Sequence, residues 1–139
     1  MVSRILVPAP MPEGIALAEH WTVRQTVLIV DDHADFRAAA RELLEADGYA
    51  VIGEAADGAG ALHKVEELRP AIVLLDIQLP DSNGFDVAAR LAAGPSPPVV
   101  VLISSRDAAA YGDRVAHANV RGFISKLRLS GASLAEVVG

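Results

Sequence analysis

The sequence has no cysteine, which excludes disulfide bonds, thiolate metal sites and catalysis by a thiol. It also has no apolar run approaching the roughly 20 residues that a membrane-spanning helix needs. Basic residues are the minority, 12 against 18 acidic ones, and the net charge of −6 argues against a general nucleic-acid-binding surface. The first residues carry only Arg4 before prolines interrupt them, which is not the pattern of a signal peptide. We therefore expect a cytoplasmic protein.

The length and composition are those of one ordinary globular domain. The 139 residues suffice for a hydrophobic core, and 52% of them are hydrophobic against 22% charged. The segment 1–25 differs from the rest, because it holds three prolines and shows no clear hydrophobic period. We expect residues 1–25 to be a flexible leader and residues 26–139 to form the domain.

Five runs rich in Val, Ile, Leu and Ala predict strands, because they are short, continuous and bounded by glycine, proline or polar residues. These runs are 26–30, 50–55, 71–75, 99–103 and 122–125. Five segments with helical spacing of apolar residues alternate with them, the fourth at about 108–118. Short connections between alternating strands and helices require a parallel sheet with helices on both faces. We therefore predict an open, doubly wound α/β fold.

Polar side chains follow four of the predicted strands. They are Asp31 with Asp32, Asp76, Ser104 and Lys126. Because the carboxyl ends of parallel strands lie at one edge of a sheet, these groups should meet there. Three carboxylates close together repel one another unless a cation joins them, and oxygen ligands suit Mg²⁺ above all. A lysine and a hydroxyl beside such an ion can hold a phosphoryl group, and an aspartate can be the nucleophile that accepts it.

The same residues, in this order and at these spacings, resemble the receiver domain of two-component response regulators over about 26–138. The matching positions are the acidic pair Asp31 and Asp32, the helix start Asp57-Gly58, the phosphoacceptor Asp76 with Pro80, Asn83-Gly84, the hydroxyl residue Ser104, the aromatic switch Phe123 and Lys126. Ser105 is the alternative hydroxyl residue, since only the register separates it from Ser104. The resemblance implies a flavodoxin-like five-stranded parallel sheet of order 2-1-3-4-5.

What the resemblance implies for function is a switch controlled by a phosphoryl group. Asp76 would accept this group from a sensor histidine kinase or a histidine phosphotransfer protein. Asp31, Asp32, Asp76 and the backbone carbonyl of Gln78 would hold Mg²⁺. Lys126 would pair with the phosphoryl oxygens.

The response to phosphorylation is also implied by the resemblance. Ser104 would move to hydrogen-bond a phosphoryl oxygen, and Phe123 would rotate into the vacated space, changing a surface that an unidentified downstream protein recognises. Such a domain is not an enzyme beyond its own phosphorylation and slow autodephosphorylation. The last helix is short, so we expect a monomer or weak dimer, with neither nucleic acid nor membrane as a direct partner.

The acidic pair is followed by His33, and this pattern is nearest to receivers of the LuxR/FixJ kind. Those proteins carry a further DNA-binding domain, for which the tail after Lys126 is too short. We therefore expect a stand-alone receiver that signals through protein contacts. His33 itself is expected to be a partly exposed residue at a helix start, with no part in the chemistry. Lys126 is followed by Leu127 where many receivers have a cis proline, so a cis bond is not assumed.

Two other functions remain open. The first is a Mg²⁺-dependent phosphatase with an aspartyl-phosphate intermediate, but haloacid-type phosphatases need a second acid where this sequence has Gln78. The second is a degenerate receiver that serves only as a binding module. The presence of every expected site residue argues against this second function.

Overall fold

The structure is a computed structural model that describes residues 4–8 and 21–139. Within these ranges the strands are β1 (Arg4–Pro8), β2 (Trp21–Val30), β3 (Ala50–Ala55), β4 (Ile72–Asp76), β5 (Val99–Ser104) and β6 (Gly122–Ser125). The α-helices are α1 (Ala34–Ala46), α2 (Gly58–Leu68), α3 (Gly84–Ala92) and α4 (Gly131–Val138). Two 3₁₀ segments, Ala108–Arg114 and Lys126–Arg128, complete the helical elements.

Strands β2 to β6 form a parallel sheet with the spatial order β3-β2-β4-β5-β6. Numbered among the parallel strands alone, this is the order 2-1-3-4-5, so the predicted fold and strand order are confirmed. The central strand is β4, and all five of its residues are buried. Its continuous apolar run is what a parallel strand covered on both faces requires.

Alternate residues of β4 face two separate apolar layers. Ile72 and Leu74 belong to the layer that includes Leu44 of α1 and Leu134 of α4. Val73 and Leu75 belong to the opposite layer, formed with α2 and α3. The period of two along a strand thus divides the core between the two faces of the sheet. Among the described residues, no helix is long and apolar enough to cross a bilayer.

Strand β2 begins at Trp21, earlier than the predicted start at Thr26, and β1 pairs with its first half. The pairing is antiparallel, with Arg4 opposite Gln25. Part of the segment 1–25, expected to be a flexible leader, is therefore part of the sheet. Its pattern was hard to recognise because β1 is only five residues long and ends at a proline. The expectation for 1–3 and 9–20 lies outside the described residues.

The fourth helical segment differs from the predicted helix at 108–118. It is a 3₁₀ segment, Ala108–Arg114, interrupted at Gly112, whose φ of 57° and ψ of −131° are not helical. A residue without Cβ adopts a positive φ at little cost, so the glycine ends the regular turn there. The bond after Lys126 is trans, since the described residues contain no cis peptide bond.

Candidate functional site

The carboxyl ends of the parallel strands bring the predicted acids and the lysine into one cluster. Lys126 Nζ lies 3.2 Å from Asp76 Oδ2 and forms a second ion pair with Asp31. Single potential ligand atoms of Asp31, Asp32, His33 and Asp76 all lie within 4.8 Å of one another. Beside them is a cavity of about 200 Å³ lined by Asp32, His33, Asp76, Gln78, Leu79, Pro80, Ser105 and Lys126. The convergence expected from a parallel sheet is therefore present.

The turn after Asp76 is held by backbone hydrogen bonds. The amide of Ile77 donates to the carbonyl of Ile103 in β5 at 3.1 Å, and the amide of Gly84 donates to the carbonyl of Ile77 at 2.7 Å. The amide of Gln78 donates to Asp76 Oδ1 at 3.2 Å, which orients the carboxylate. A Cβ at position 84 would lie 2.6 Å from the Asp76 carbonyl oxygen, so only glycine permits this close turn.

Asp81 ties the same loop to the start of α2. Its two carboxylate oxygens accept hydrogen bonds from the amides of Gly58 and Ala59, at 2.8 and 3.0 Å. Asp57 is the N-cap residue of α2, and its side chain accepts a hydrogen bond from the amide of Gly60 at 2.7 Å. These backbone donors hold the pKa of Asp81 below its ordinary value. Sequence analysis did not single out Asp81, because its partners lie on a distant segment.

Asp31 is fully buried, and hydrogen bonds orient both its side chain and its backbone. Its Oδ1 atom accepts from the His33 amide at 2.8 Å, and its carbonyl oxygen accepts from Arg37 Nη1 at 2.6 Å. Arg37 in turn pairs with Glu54 of β3 at 3.0 Å. The N-cap residue of α1 thus holds the side chain of Asp31, and Arg37 within the helix holds its backbone.

His33 lies beside the acidic pair at the start of α1, as expected. Its ring is 69% exposed, as expected, yet Nδ1 lies 3.1 Å from Asp31 Oδ1 and 3.1 Å from Asp32 Oδ1. The position of His33 in the sequence, directly after the acidic pair and before α1, is the feature that indicates this contact.

The charges in the cluster oppose one another. Burial raises the pKa of Asp76; nearby Asp31 raises it further, and Lys126 only partly offsets these effects. Burial also acts to raise the pKa of Asp31, but hydrogen bonds from Lys126 and the His33 amide outweigh it and leave the pKa lowered. Burial acts to lower the pKa of Lys126, and the two carboxylates outweigh it. The cluster thus holds the three carboxylates of Asp31, Asp32 and Asp76, and its one ammonium pairs with two of them. A hard divalent cation would correct this imbalance of charge.

Ser104 ends β5 at the same sheet edge but is hydrogen-bonded away from the acids. Its Oγ is 2.6 Å from the hydroxyl oxygen of Tyr111 and accepts from the amide of Arg106 at 3.1 Å. Ser105, the alternative hydroxyl residue, is the one that lines the cavity beside Asp76. Sequence analysis did not identify Tyr111, because its contact depends on how the 3₁₀ segment folds back.

Phe123 lies in β6, half-buried, in the apolar layer that includes α2 and α3. Its ring centroid is 6.2 Å from that of Tyr111. Gln78 is exposed and lines the cavity, and its backbone amide donates to Asp76 Oδ1.

Comparison with known proteins identifies the family. The model of the response regulator receiver domain matches residues 27–137. The chain belongs to this family. EvgA of Escherichia coli, a DNA-binding transcriptional activator, is 33% identical to this receiver domain over 99 residues, covering 71% of the chain and 48% of EvgA. BvgA of Bordetella pertussis is 36% identical over 100 residues, covering 72% and 48%. The chain thus spans about half the length of these curated relatives.

Solved structures support the same assignment. The signal receiver domain of NarL from Mycobacterium tuberculosis superposes with a TM-score of 0.74 at 31% identity, over 84% of this chain and 98% of that one. A LuxR-family response regulator from Aurantimonas superposes with a TM-score of 0.72 at 27% identity, over 81% of each chain. The predicted kinship with LuxR-type receivers is confirmed. Receiver domains of this family are typically non-enzymatic phosphoacceptors of two-component signalling, and the acidic cluster is typical of their Mg²⁺ site.

Proposed function

We propose that Asp76 of this receiver accepts a phosphoryl group from the phosphohistidine of a sensor histidine kinase or a histidine phosphotransfer protein. The observation that carries the proposal is the position of Lys126, which pairs with both Asp76 and Asp31 at the carboxyl edge of the sheet. Asp76 is only 4% exposed, yet it borders a cavity that a small phosphate group can enter. A buried carboxylate kept beside a lysine and an open cavity is suited to nucleophilic attack.

The donor set fits Mg²⁺. Asp31, Asp32, Asp76 and the backbone carbonyl of Gln78 would hold the ion with oxygen atoms alone, which is the coordination that Mg²⁺ prefers. When bound, the ion would offset the negative charge that gathers between the carboxylates and the phosphoryl group. The excess of carboxylates over ammonium in the cluster supports this assignment.

During transfer, a carboxylate oxygen of Asp76 forms a bond to phosphorus while the bond from phosphorus to the donor histidine nitrogen breaks. The histidine ring keeps the electron pair of that bond. Lys126, already 3.2 Å from Asp76 Oδ2, stays beside the phosphoryl oxygens and offsets their charge. The turn is held in place because the Gly84 amide donates to the Ile77 carbonyl and Asp81 accepts from the amides at the start of α2.

The outcome of transfer is a change of surface. Ser104 would turn to hydrogen-bond a phosphoryl oxygen, and Phe123 would fill the space that it leaves. The surface formed by β6, α4 and the 3₁₀ segment Ala108–Arg114 would then differ between the two states and select a downstream protein partner. We expect the reaction in the cytoplasm, with the domain a monomer or weak dimer.

Acetyl phosphate tests this function directly. With Mg²⁺, the protein should gain one phosphoryl group, about 80 Da by intact-mass spectrometry. The gain should disappear in Asp76→Ala and when EDTA removes the metal, but persist in Asp113→Ala, which changes an exposed carboxylate outside the cluster. An unlabelled wild-type protein, or an Asp76→Ala protein that still gains the mass, would overturn the proposal. Sustained turnover of a phosphate ester beyond one equivalent would favour the phosphatase instead.

A further inference from the structure

Tyr111 holds the hydroxyl of Ser104. The two oxygen atoms are 2.6 Å apart, and either hydroxyl can donate the hydrogen bond. Ser104 is 2% exposed, so its hydroxyl has little access to water as a replacement partner. Since the Arg106 amide also donates to Ser104 Oγ, the hydroxyl is held beside the 3₁₀ segment.

The ring of Tyr111 is fixed independently of its hydroxyl. It lies 6.0 Å from the ring of Phe85 in α3, edge on, and 6.2 Å from the ring of Phe123 in β6. Arg114 stacks its guanidinium 4.2 Å above the Phe85 ring. Replacing the tyrosine by phenylalanine would therefore remove one hydrogen bond and leave the aromatic packing in place.

The segment that carries Tyr111 is less buried than the strand that carries Ser104. No residue of Ala108–Arg114 is buried, and Gly112 breaks the segment directly after the tyrosine. Ser104, in contrast, ends a strand whose residues Val100 to Ile103 are all buried. A segment with few buried contacts rearranges at lower free energy than a core strand. When the hydrogen bond between the two hydroxyls breaks, the 3₁₀ segment is thus the element that can rearrange more easily.

We propose that Tyr111 is a positioning residue that restrains Ser104 in the unphosphorylated state and releases it when Asp76 carries a phosphoryl group. The inference rests on the proposed function of Asp76. Position 123 is a phenylalanine and has no hydroxyl, and the aromatic hydroxyl that Ser104 bonds is that of Tyr111 in the 3₁₀ segment. Competition between Tyr111 and a phosphoryl oxygen for one serine hydroxyl links the chemistry at Asp76 to the surface of Ala108–Arg114.

The test compares Tyr111→Phe with Tyr49→Phe, the change at the chain's other tyrosine. Tyr49 packs against the opposite apolar layer, so it is a matched control. Affinity for beryllofluoride, a phosphoryl mimic, is measured by calorimetry with Mg²⁺ present. Removing the restraint should tighten binding by about 2- to 10-fold, the usual net worth of one hydrogen bond, whereas Tyr49→Phe should bind like wild type.

A double-mutant cycle shows whether the effect passes through Ser104. In the Ser104→Ala background the gain from Tyr111→Phe should vanish, because no hydroxyl remains to be released. A gain of equal size in that background, or no gain in the wild-type background, overturns the inference.

A spectroscopic measurement needs no change at Tyr111. In the Tyr49→Phe protein, Tyr111 is the one tyrosine left, so a ¹³Cζ-tyrosine label reports its hydroxyl alone. The signal should shift when acetyl phosphate and Mg²⁺ are added, and an unmoved signal in a fully phosphorylated sample overturns the inference. Absence of any adduct or beryllofluoride binding in the wild-type protein would instead contradict the proposed function, and the inference with it.

Discussion

Replacing Lys126 by methionine should destabilise the domain measurably when no divalent ion is present. The change removes the ammonium shared by Asp31 and Asp76, whose side chains are 0% and 5% exposed. Breaking a buried ion pair by deleting one partner costs about 3–5 kcal/mol, because the remaining charge stays buried. Lys126 itself is 15% exposed, and Asp31 keeps the hydrogen bond from the His33 amide, so we expect a cost at or just below the lower end of that scale, about 2–3 kcal/mol.

The assay is urea unfolding by circular dichroism in EDTA, with thermal melts alongside. A loss of this size corresponds to about 6–12 °C in Tm for a domain of this length. Lys64→Met is the control, since Lys64 is the chain's other lysine and has no acidic partner in the cluster. If Lys126→Met loses no more stability than Lys64→Met, the ammonium does not hold the carboxylates together. Mg²⁺ at about 100 times its Kd should restore about 2.7 kcal/mol if the acids bind it.

Three further changes test other parts of the structure. Gly84→Ala should cost about 1–3 kcal/mol in urea unfolding and slow labelling by acetyl phosphate, because its Cβ would press on the Asp76 carbonyl. Asp47→Ala should cost about 1 kcal/mol in the same assay, because Asp47 accepts a hydrogen bond at 2.8 Å from the amide of Gly131, the first residue of α4. Burial acts to raise the pKa of Glu54, but hydrogen bonds from two arginines outweigh it and lower the pKa. The ionised Glu54 side chain therefore stabilises the fold at pH values above its unfolded-state pKa, and this contribution is lost as the pH falls through its lower folded-state pKa. In acid unfolding experiments, the Glu54→Gln protein should not show this part of the fall in stability.

The strand order and the core were predictable because each parallel strand is a continuous apolar run. Every residue of β4 is buried, and the strand ends at Asp76, where the sequence changes from apolar to polar. Strand β1 was missed because its five residues stand beside prolines and pair with a partner that the sequence does not reveal. The 3₁₀ segment was mistaken for a regular helix because alanines favour a helix, whereas Gly112 takes a positive φ that no helical pattern anticipates.

The acids and the lysine of the site were predictable for a topological reason. Parallel strands deliver their ends to one edge, so Asp31, Asp76 and Lys126 had to meet once the fold was right. The contacts of Asp81 and Tyr111 were not predictable in this way. Each depends on a side chain reaching from one loop to another, and neither hydrophobic period nor residue spacing records the direction of such a side chain.

The magnitudes of the interactions imply that the proposed switch cannot depend on one contact. Moving a two-state equilibrium from 1:99 to 99:1 takes about 5.5 kcal/mol, whereas one hydrogen bond is worth about 0.5–1.5 kcal/mol net. The free energy lost with the Ser104–Tyr111 hydrogen bond therefore opposes the phosphorylated conformation only weakly. Most of the free energy that shifts the equilibrium has to come from electrostatic interactions of the phosphoryl group. A phosphoryl group brings nearly two negative charges to a cluster whose one ammonium, Lys126, already serves two carboxylates. Rearrangement of that charge would drive the transition, while Tyr111 would set how sharply the 3₁₀ segment responds.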